Sequence, residues 1–187
     1  MSKCEFWRSK DFFGLDLSDL YYQAVSEKFA QPVLDTYDAN KNLSDKPFRK
    51  TFDFENCTLA DLQTVQISFK HKMNSTAILH GYAVYFDAIF SGHDHYCVLH
   101  TGPEHPATHW YQTRLLLPEP LGVNKGQFID AELDMKANTE QCFDTLLTVR
   151  IPQLEIEGKV QYDMKDAEYR GCYQSYANYY NAPTQNY

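Results

Sequence analysis

Three groups of residues in the 187-residue chain carry side chains suited to chemistry. The first is Thr108-His109-Trp110, inside the stretch GPEHPATHWYQTRLLL from Gly102 to Leu117. An imidazole titrates near neutrality and can hold or pass a proton, and an indole offers a flat apolar wall with one donor. The second is a run of histidines, His93, His95, His100, His105 and His109, with Asp94 and Cys97 among them. Zinc takes nitrogen and sulfur ligands of this kind, and His93, His95 and Cys97 share one face if the chain there is extended. The competing reading is a polar hairpin loop around Ser91 to His95. The third is Glu155 and Glu157, carboxylates on one face of a strand. Paired carboxylates suit bidentate bonds to a guanidinium, but here they read as solvent-facing charge.

Positioning these groups falls to the elements around them. Pro103 and Pro106 deny regular ladder bonding to the first half of the Gly102–Leu117 stretch, which reads as a loop. From Thr108 the residues alternate, with Tyr111, Thr113, Leu115 and Leu117 set against Trp110, Gln112, Arg114 and Leu116; this predicts a strand. His109 and Trp110 then fall at a loop-to-strand junction, where a rigid element holds side chains in place. On pattern alone a second reading stands beside it, with Trp110 in the core and His109 an incidental surface residue.

Most of the remaining chain reads as strands. Phe48 to Phe54, Val65 to Phe69, Cys97 to Thr101, Ile129 to Met135 and Phe143 to Ile151 are short or alternate with period two. Ala77 to Phe90 is apolar on both faces, as in a central strand. Asn124-Lys125-Gly126 predicts a hairpin-type turn, and one more hairpin is expected around Gly158. Many strands with short turns point to an antiparallel barrel or sandwich. Near the N-terminus, Asp16 is placed to cap a helix of about three turns that Pro32 stops. Residues 31–38 then read as extended, and 40–46 as a loop. After Asp163 the chain turns rich in Tyr, Asn and Gln.

Composition bounds the function. A net charge of −8 and the lack of any basic run argue against a nucleic-acid surface, though an acidic face can steer basic peptides. Five scattered cysteines without a CxxC pair point to free thiols in a reduced compartment. No stretch approaches the ~18 apolar residues of a membrane span, and MSKCEFWRSK lacks the apolar region of a signal peptide.

The sequence Thr108-His109-Trp110-Tyr111-Gln112 resembles the Thr-His-Trp loop of the protein arginine methyltransferases, within their coactivator-associated (histone-arginine) type I branch. Phe12 to Asp38, FFGLDLSDLYYQAVSEKFAQPVLDTYD, resembles the family's dimerisation arm and the segment after it. His80 to Phe90, HGYAVYFDAIF, resembles the central barrel strand before the loop. The likeness runs in the family's order to about Ile151. It implies a mainly β protein, an antiparallel β-barrel with a short helical dimerisation arm at its N-terminus. The implied divisions are an arm and lead-in over 1–38, a barrel over 39–162, and a C-terminal extension over 163–187, partly disordered or strapped to the barrel.

The resemblance also implies roles. The parent enzyme transfers methyl from S-adenosylmethionine to arginine guanidinium groups of histones, histone H3 among them, and other proteins. It acts as a homodimer, in nucleus and cytoplasm, with asymmetric dimethylation as its outcome. His109 would pair with an acidic residue of the cofactor domain, and Trp110 would wall the arginine pocket; these are the catalytic candidates. Thr108 starts the loop. Tyr169 and Arg170 resemble the post-barrel segment that borders the substrate groove, and with Thr108 they are the substrate-binding candidates. Phe6, Trp7, Phe12, Phe13 and Leu15 would form the dimer interface. Departures are Gln127, where many members carry an acidic residue, and Ala167, Glu168 and Gly171 around the post-barrel pair. No Gly-x-Gly-x-x-Gly and no counterpart of the family's two-glutamate loop occurs. The expectation is a chain without its cofactor domain, binding no S-adenosylmethionine itself, inactive alone, and partnered by that missing domain. The rivals are a non-catalytic interaction barrel using its aromatic arm and tyrosine-rich tail, and a small metal-binding β-protein using the histidines.

Overall fold

The computed structural model describes residues 2–44 and 46–169. Among them are three helices, α1 (Ser2–Glu5), α2 (Tyr21–Ala30) and α3 (Leu59–Gln63). Ten strands follow the order β1 (Val33–Asp35), β2 (Thr64–Lys72), β3 (Ala77–Val84), β4 (Asp87–Ser91), β5 (Tyr96–His100), β6 (Gln112–Val123), β7 (Phe128–Ala137), β8 (Phe143–Ile151), β9 (Ile156–Asp163) and β10 (Glu168–Tyr169).

Period-two alternation produces the second half of the molecule. On β7, Ile129, Ala131 and Leu133 turn inward and are buried, while Asp130 and Glu132 face out to Lys70 and Arg150. The strands β2-β7-β8-β9 form one antiparallel sheet in that order. A second sheet has the order β10-β1-β6-β3, antiparallel except for the short parallel pairing of β1 with β10. Both contribute to one core, Leu79, Leu115 and Leu117 from one sheet meeting Leu147, Val149 and Tyr162 from the other. Each such aliphatic side chain contributes roughly 1.5–3 kcal/mol on burial. The result is a mainly β, barrel-like fold. Among the described residues its ladder is not continuous around the barrel, and contacts between β6 and β9 join the halves.

Several elements depart from the sequence expectation, each for a local reason. Phe48 to Phe54 is not a strand. Asp53 takes the Glu55 amide and the Asn56 side chain, closing a turn instead, and Phe48 stacks on Phe69 at 5.4 Å. Ala77 to Phe90 is two strands in two sheets, and β3 lies at a sheet edge. The break comes at Phe86, whose amide and carbonyl both bond the Thr101 hydroxyl, at 3.1 and 2.6 Å.

The strand after Trp110 runs on through Pro118 and Pro120 to Val123. Pairing with β3 jumps from Leu79↔Leu121 to Gly81↔Leu116, so His80 alone opposes residues 117–120 and both prolines sit in the bulge. Asn124-Lys125-Gly126 does form a turn, with Gly126 at φ 82. It is not a hairpin, because β6 and β7 belong to different sheets. Gln127 serves this turn well, its side chain accepting the Asn124 amide at 2.9 Å. The last hairpin turns at Pro152–Leu154, and β9 runs straight through Gly158.

At the N-terminal end, Asp16 does not cap the helix: it accepts from the Ser18 amide and hydroxyl ahead of a 3-10 turn over Ser18–Leu20, and α2 begins at Tyr21 without a side-chain cap. The Ser18 hydroxyl and amide hold the Asp16 carboxyl below the usual carboxylate range. Helix α2 packs against β6 and β9, where Ser26, Phe29 and Ala30 line a cleft with Pro118 and Tyr162, while Ala24 faces Cys4 and Trp7 of the arm. The helix α3 carries a capping box between Thr58 and Asp61.

Candidate functional site: the Thr-His-Trp loop

Residues 101–111 link β5 to β6, and bonds at both ends hold them. Thr101 is buried, bonded to Phe86 as above, and its carbonyl accepts the Gln112 side chain at 2.7 Å. The first half closes as a turn, His105 N–H donating to the Gly102 carbonyl at 3.2 Å. Gly102 fits under Tyr85, where an added Cβ would stand 2.8 Å from the ring. In the second half Thr108 Oγ1 donates to the Trp110 carbonyl at 3.0 Å and accepts the Trp110 amide at 3.2 Å. This local side-chain loop turns the chain into β6.

The outcome is exposure, not burial. Trp110 is 52% exposed, its ring edge-on to Phe86 at 5.9 Å, so the core reading of this tryptophan fails. His109 is also exposed. Beneath the loop lies a polar aromatic cluster. Tyr37 donates to Asn42 at 3.0 Å, and burial, with Tyr85 and Glu104 nearby, pushes its phenol up to about 12.

The histidines do not converge. His93 contacts its neighbour Asp94, and residues 92–95 form the hairpin tip, Gly92 N–H donating to the His95 carbonyl at 2.8 Å. A turn there removes the shared face that an extended chain would give His93, His95 and Cys97. Among the described residues no group of three or more His, Cys, Asp or Glu is placed to hold a metal ion. His100 instead bonds Asp87 at 3.0 Å and stacks on His105 at 4.0 Å, a pairing that spacing along the chain does not reveal.

Glu155 and Glu157 do not act as a pair. Glu155 sits in left-handed backbone at the turn, and Glu157 is a surface carboxylate bonded to Lys159 and Arg150. Tyr169 lies on β10 opposite Leu34, one strand removed from Thr113, about 10 Å from the base of the loop at ordinary strand spacing. Arg170 lies outside the described residues.

At the far end, the aromatic arm folds over α2 through Cys4, which is buried, and through Arg8, which donates to Tyr21 at 2.8 Å. Phe6, Trp7, Phe12 and Phe13 form a chain of edge-to-face contacts. Trp7 is half-buried; Phe6, Phe12, Phe13 and Leu15 are exposed. Phe13 and Gly14 form the tip of a two-residue turn, Phe13 at φ 52 and 93% exposed. A left-handed aromatic residue is an unfavourable backbone choice, of a kind that gathers at functional sites.

Residues 1–151 match the arginine methyltransferase oligomerization subdomain. The chain belongs to this family. It is 34% identical over 169 residues to the histone-arginine methyltransferase CARMER of Drosophila yakuba, covering 90% of this chain and 32% of that one. The Drosophila virilis protein of the same name gives 34% identity, with 90% and 31% covered. The chain thus spans about a third of the length of these curated relatives. Two solved structures share the fold. One is the Trypanosoma brucei PRMT1 enzyme-prozyme heterotetrameric complex with AdoHcy, with TM-score 0.68, 23% identity, and 85% of this chain and 50% of that one covered. The other is Arabidopsis thaliana protein arginine methyltransferase 10 in an open conformation, with TM-score 0.67, 18% identity, and 86% and 51% covered.

Nucleotide-like cofactors are cradled where a parallel strand passes through a glycine turn into a helix. The one parallel pairing among the described residues joins Val33 and Leu34 to Glu168 and Tyr169.

Proposed function

We propose that this chain is the substrate-cleft and oligomerisation half of a protein arginine N-methyltransferase. A cofactor-binding half, supplied separately or elsewhere in a longer protein, holds S-adenosylmethionine, and together they methylate arginine guanidinium groups of histones and other proteins, with asymmetric dimethylation, in nucleus and cytoplasm. The observation that carries this reading is the Thr-His-Trp loop of a family member, held at both ends yet presenting His109 and Trp110 to solvent. Sites built between two domains need such an uncovered face.

In this arrangement His109 pairs with a carboxylate of the other half and Trp110 forms an apolar wall against the substrate side chain. Thr108 sets the loop's exit, and Tyr169 and Arg170 border the groove. Phe6, Trp7, Phe12, Phe13 and Leu15 meet a second copy. Residues 1–38 act as arm and lead-in, 39–162 as barrel, and 163–187 as an extension.

Association tests the reading. The chain mixed with a family cofactor-binding half should sediment as a complex, and Trp110→Ala with His109→Ala should weaken it. Two species that sediment independently contradict the proposal.

A further inference from the structure

We propose that His105, stacked on His100 and through it keyed to Asp87, is a positioning residue that sets the Thr-His-Trp loop over the barrel. The inference rests on the reading of that loop as the substrate-facing site and adds a residue pair to it.

The geometry runs through three side chains. Asp87 and His100 are register partners across β4 and β5, and the carboxylate accepts from His100 Nδ1 at 3.0 Å. A carboxylate accepts only, so the imidazole carries its proton on Nδ1 and its ring plane is set. The His105 ring lies on that plane with centroids 4.0 Å apart and 8° between the rings. His105 is exposed, and its main chain donates to Gly102. It is four residues from His109, with Pro106 stiffening the intervening chain.

The contacts that hold the loop include Thr101 at its start, the Thr108 hydroxyl with the Trp110 ring on Phe86 at its end, and His105 between them. The first two fix where the chain enters and leaves. The third rests on an exposed ring-on-ring contact, and it decides how far residues 106–109 stand above the β4–β5 hairpin. Arg49, whose guanidinium lies 3.6 Å from the other oxygen of Asp87, and Glu104 in the loop are the neighbouring charges.

Amide hydrogen exchange in the full 187-residue chain reads this directly. In His105→Ala the amides of residue 105 and Trp110, which donate to the Gly102 carbonyl and to Thr108 Oγ1, should exchange roughly 3- to 10-fold faster, the fold-change of one lost aromatic pair. His105→Phe keeps a flat ring and should return the rates to within about twofold of the unsubstituted chain. Asp87→Ala, which frees the His100 ring, should loosen the same amides, while those of Ile129 and Val149 in the core stay unchanged. In methyl transfer with a cofactor-binding half, His105→Ala should raise the peptide KM more than it lowers kcat, with Phe restoring both. Unchanged loop exchange in His105→Ala, or a Phe variant as loose as the Ala variant, overturns the positioning role. No transfer by the unsubstituted pair overturns the enzyme reading instead, and leaves the exchange result to be judged alone.

Discussion

The phenol of Tyr162 on β9 donates to the main-chain carbonyl of Leu116 on β6 at 2.9 Å. Tyr162 is 1% exposed, and burial raises its pKa, so it stays a neutral donor. The bond crosses from one four-stranded sheet to the other, where no ladder joins β9 to β6. Tyr162→Phe keeps the packing and orphans the carbonyl, so it should cost about 1–2 kcal/mol in urea unfolding. No loss of stability would show that the two sheets are held by packing alone.

Gly81 is the second structural test. Its φ is 151°, and a Cβ there would stand 2.0 Å from the Leu115 carbonyl oxygen, a backbone atom that cannot turn aside. Gly81→Ala should destabilise by at least ~3 kcal/mol. Gly122→Ala, with open space around it, serves as the control and should fall within about 1 kcal/mol of the unsubstituted chain. Equal midpoints for the two variants would contradict this account of the β3–β6 bulge.

Stability should also depend on pH through His71. Its Nδ1 lies 2.8 Å from Ser44 Oγ, Phe69 and Tyr82 pack edge-on, and burial lowers its pKa. The unfolded chain then binds the proton more tightly than the folded one. This contribution is intact above about pH 6.5 and is lost as pH falls below it. The drop in urea midpoint between pH 7 and pH 5 should be smaller in His71→Asn. An identical drop in both proteins would assign the effect to other groups.

The arm makes a prediction about mass. Phe13 projects at 93% exposure from a left-handed turn, so its truncation removes little folded-state packing. Phe13→Ala should leave the thermal midpoint within a few degrees, while shifting the chain toward the monomer in light scattering. An unchanged mass distribution at every concentration would remove Phe13 from the interface.

Much of this was legible in the chain, and the failures share a cause. The alternation of Ile129, Ala131 and Leu133 marks a strand because one face of β7 is buried and the other solvated. Phe48 to Phe54 alternates too, but finds no partner strand among the described residues, and the Asp53 side chain offers its backbone an alternative. The strand predicted from Thr108 runs past Leu117 through Pro118 and Pro120, because a bulge opposite His80, far away in sequence, accommodates them. The Thr58–Asp61 capping box is written in the sequence, but the helix it opens is only five residues long, too short for a helical period to mark it. At the loop, the three residues Thr108-His109-Trp110 could be found from their order alone. The Asp87–His100–His105 arrangement could not, because it exists only once β4 and β5 pair.

The most direct measurement is methyl transfer from labelled S-adenosylmethionine to a histone H3-like peptide, by this chain alone and by the chain mixed with a separately produced cofactor-binding half. The account predicts no label from the chain alone and transfer on mixing, reduced by Trp110→Ala and His109→Ala. Transfer by the chain alone would contradict it, since that requires a donor site within these 187 residues. Silence after mixing, with both halves shown to be folded, would contradict it as well and leave a non-catalytic interaction barrel in its place.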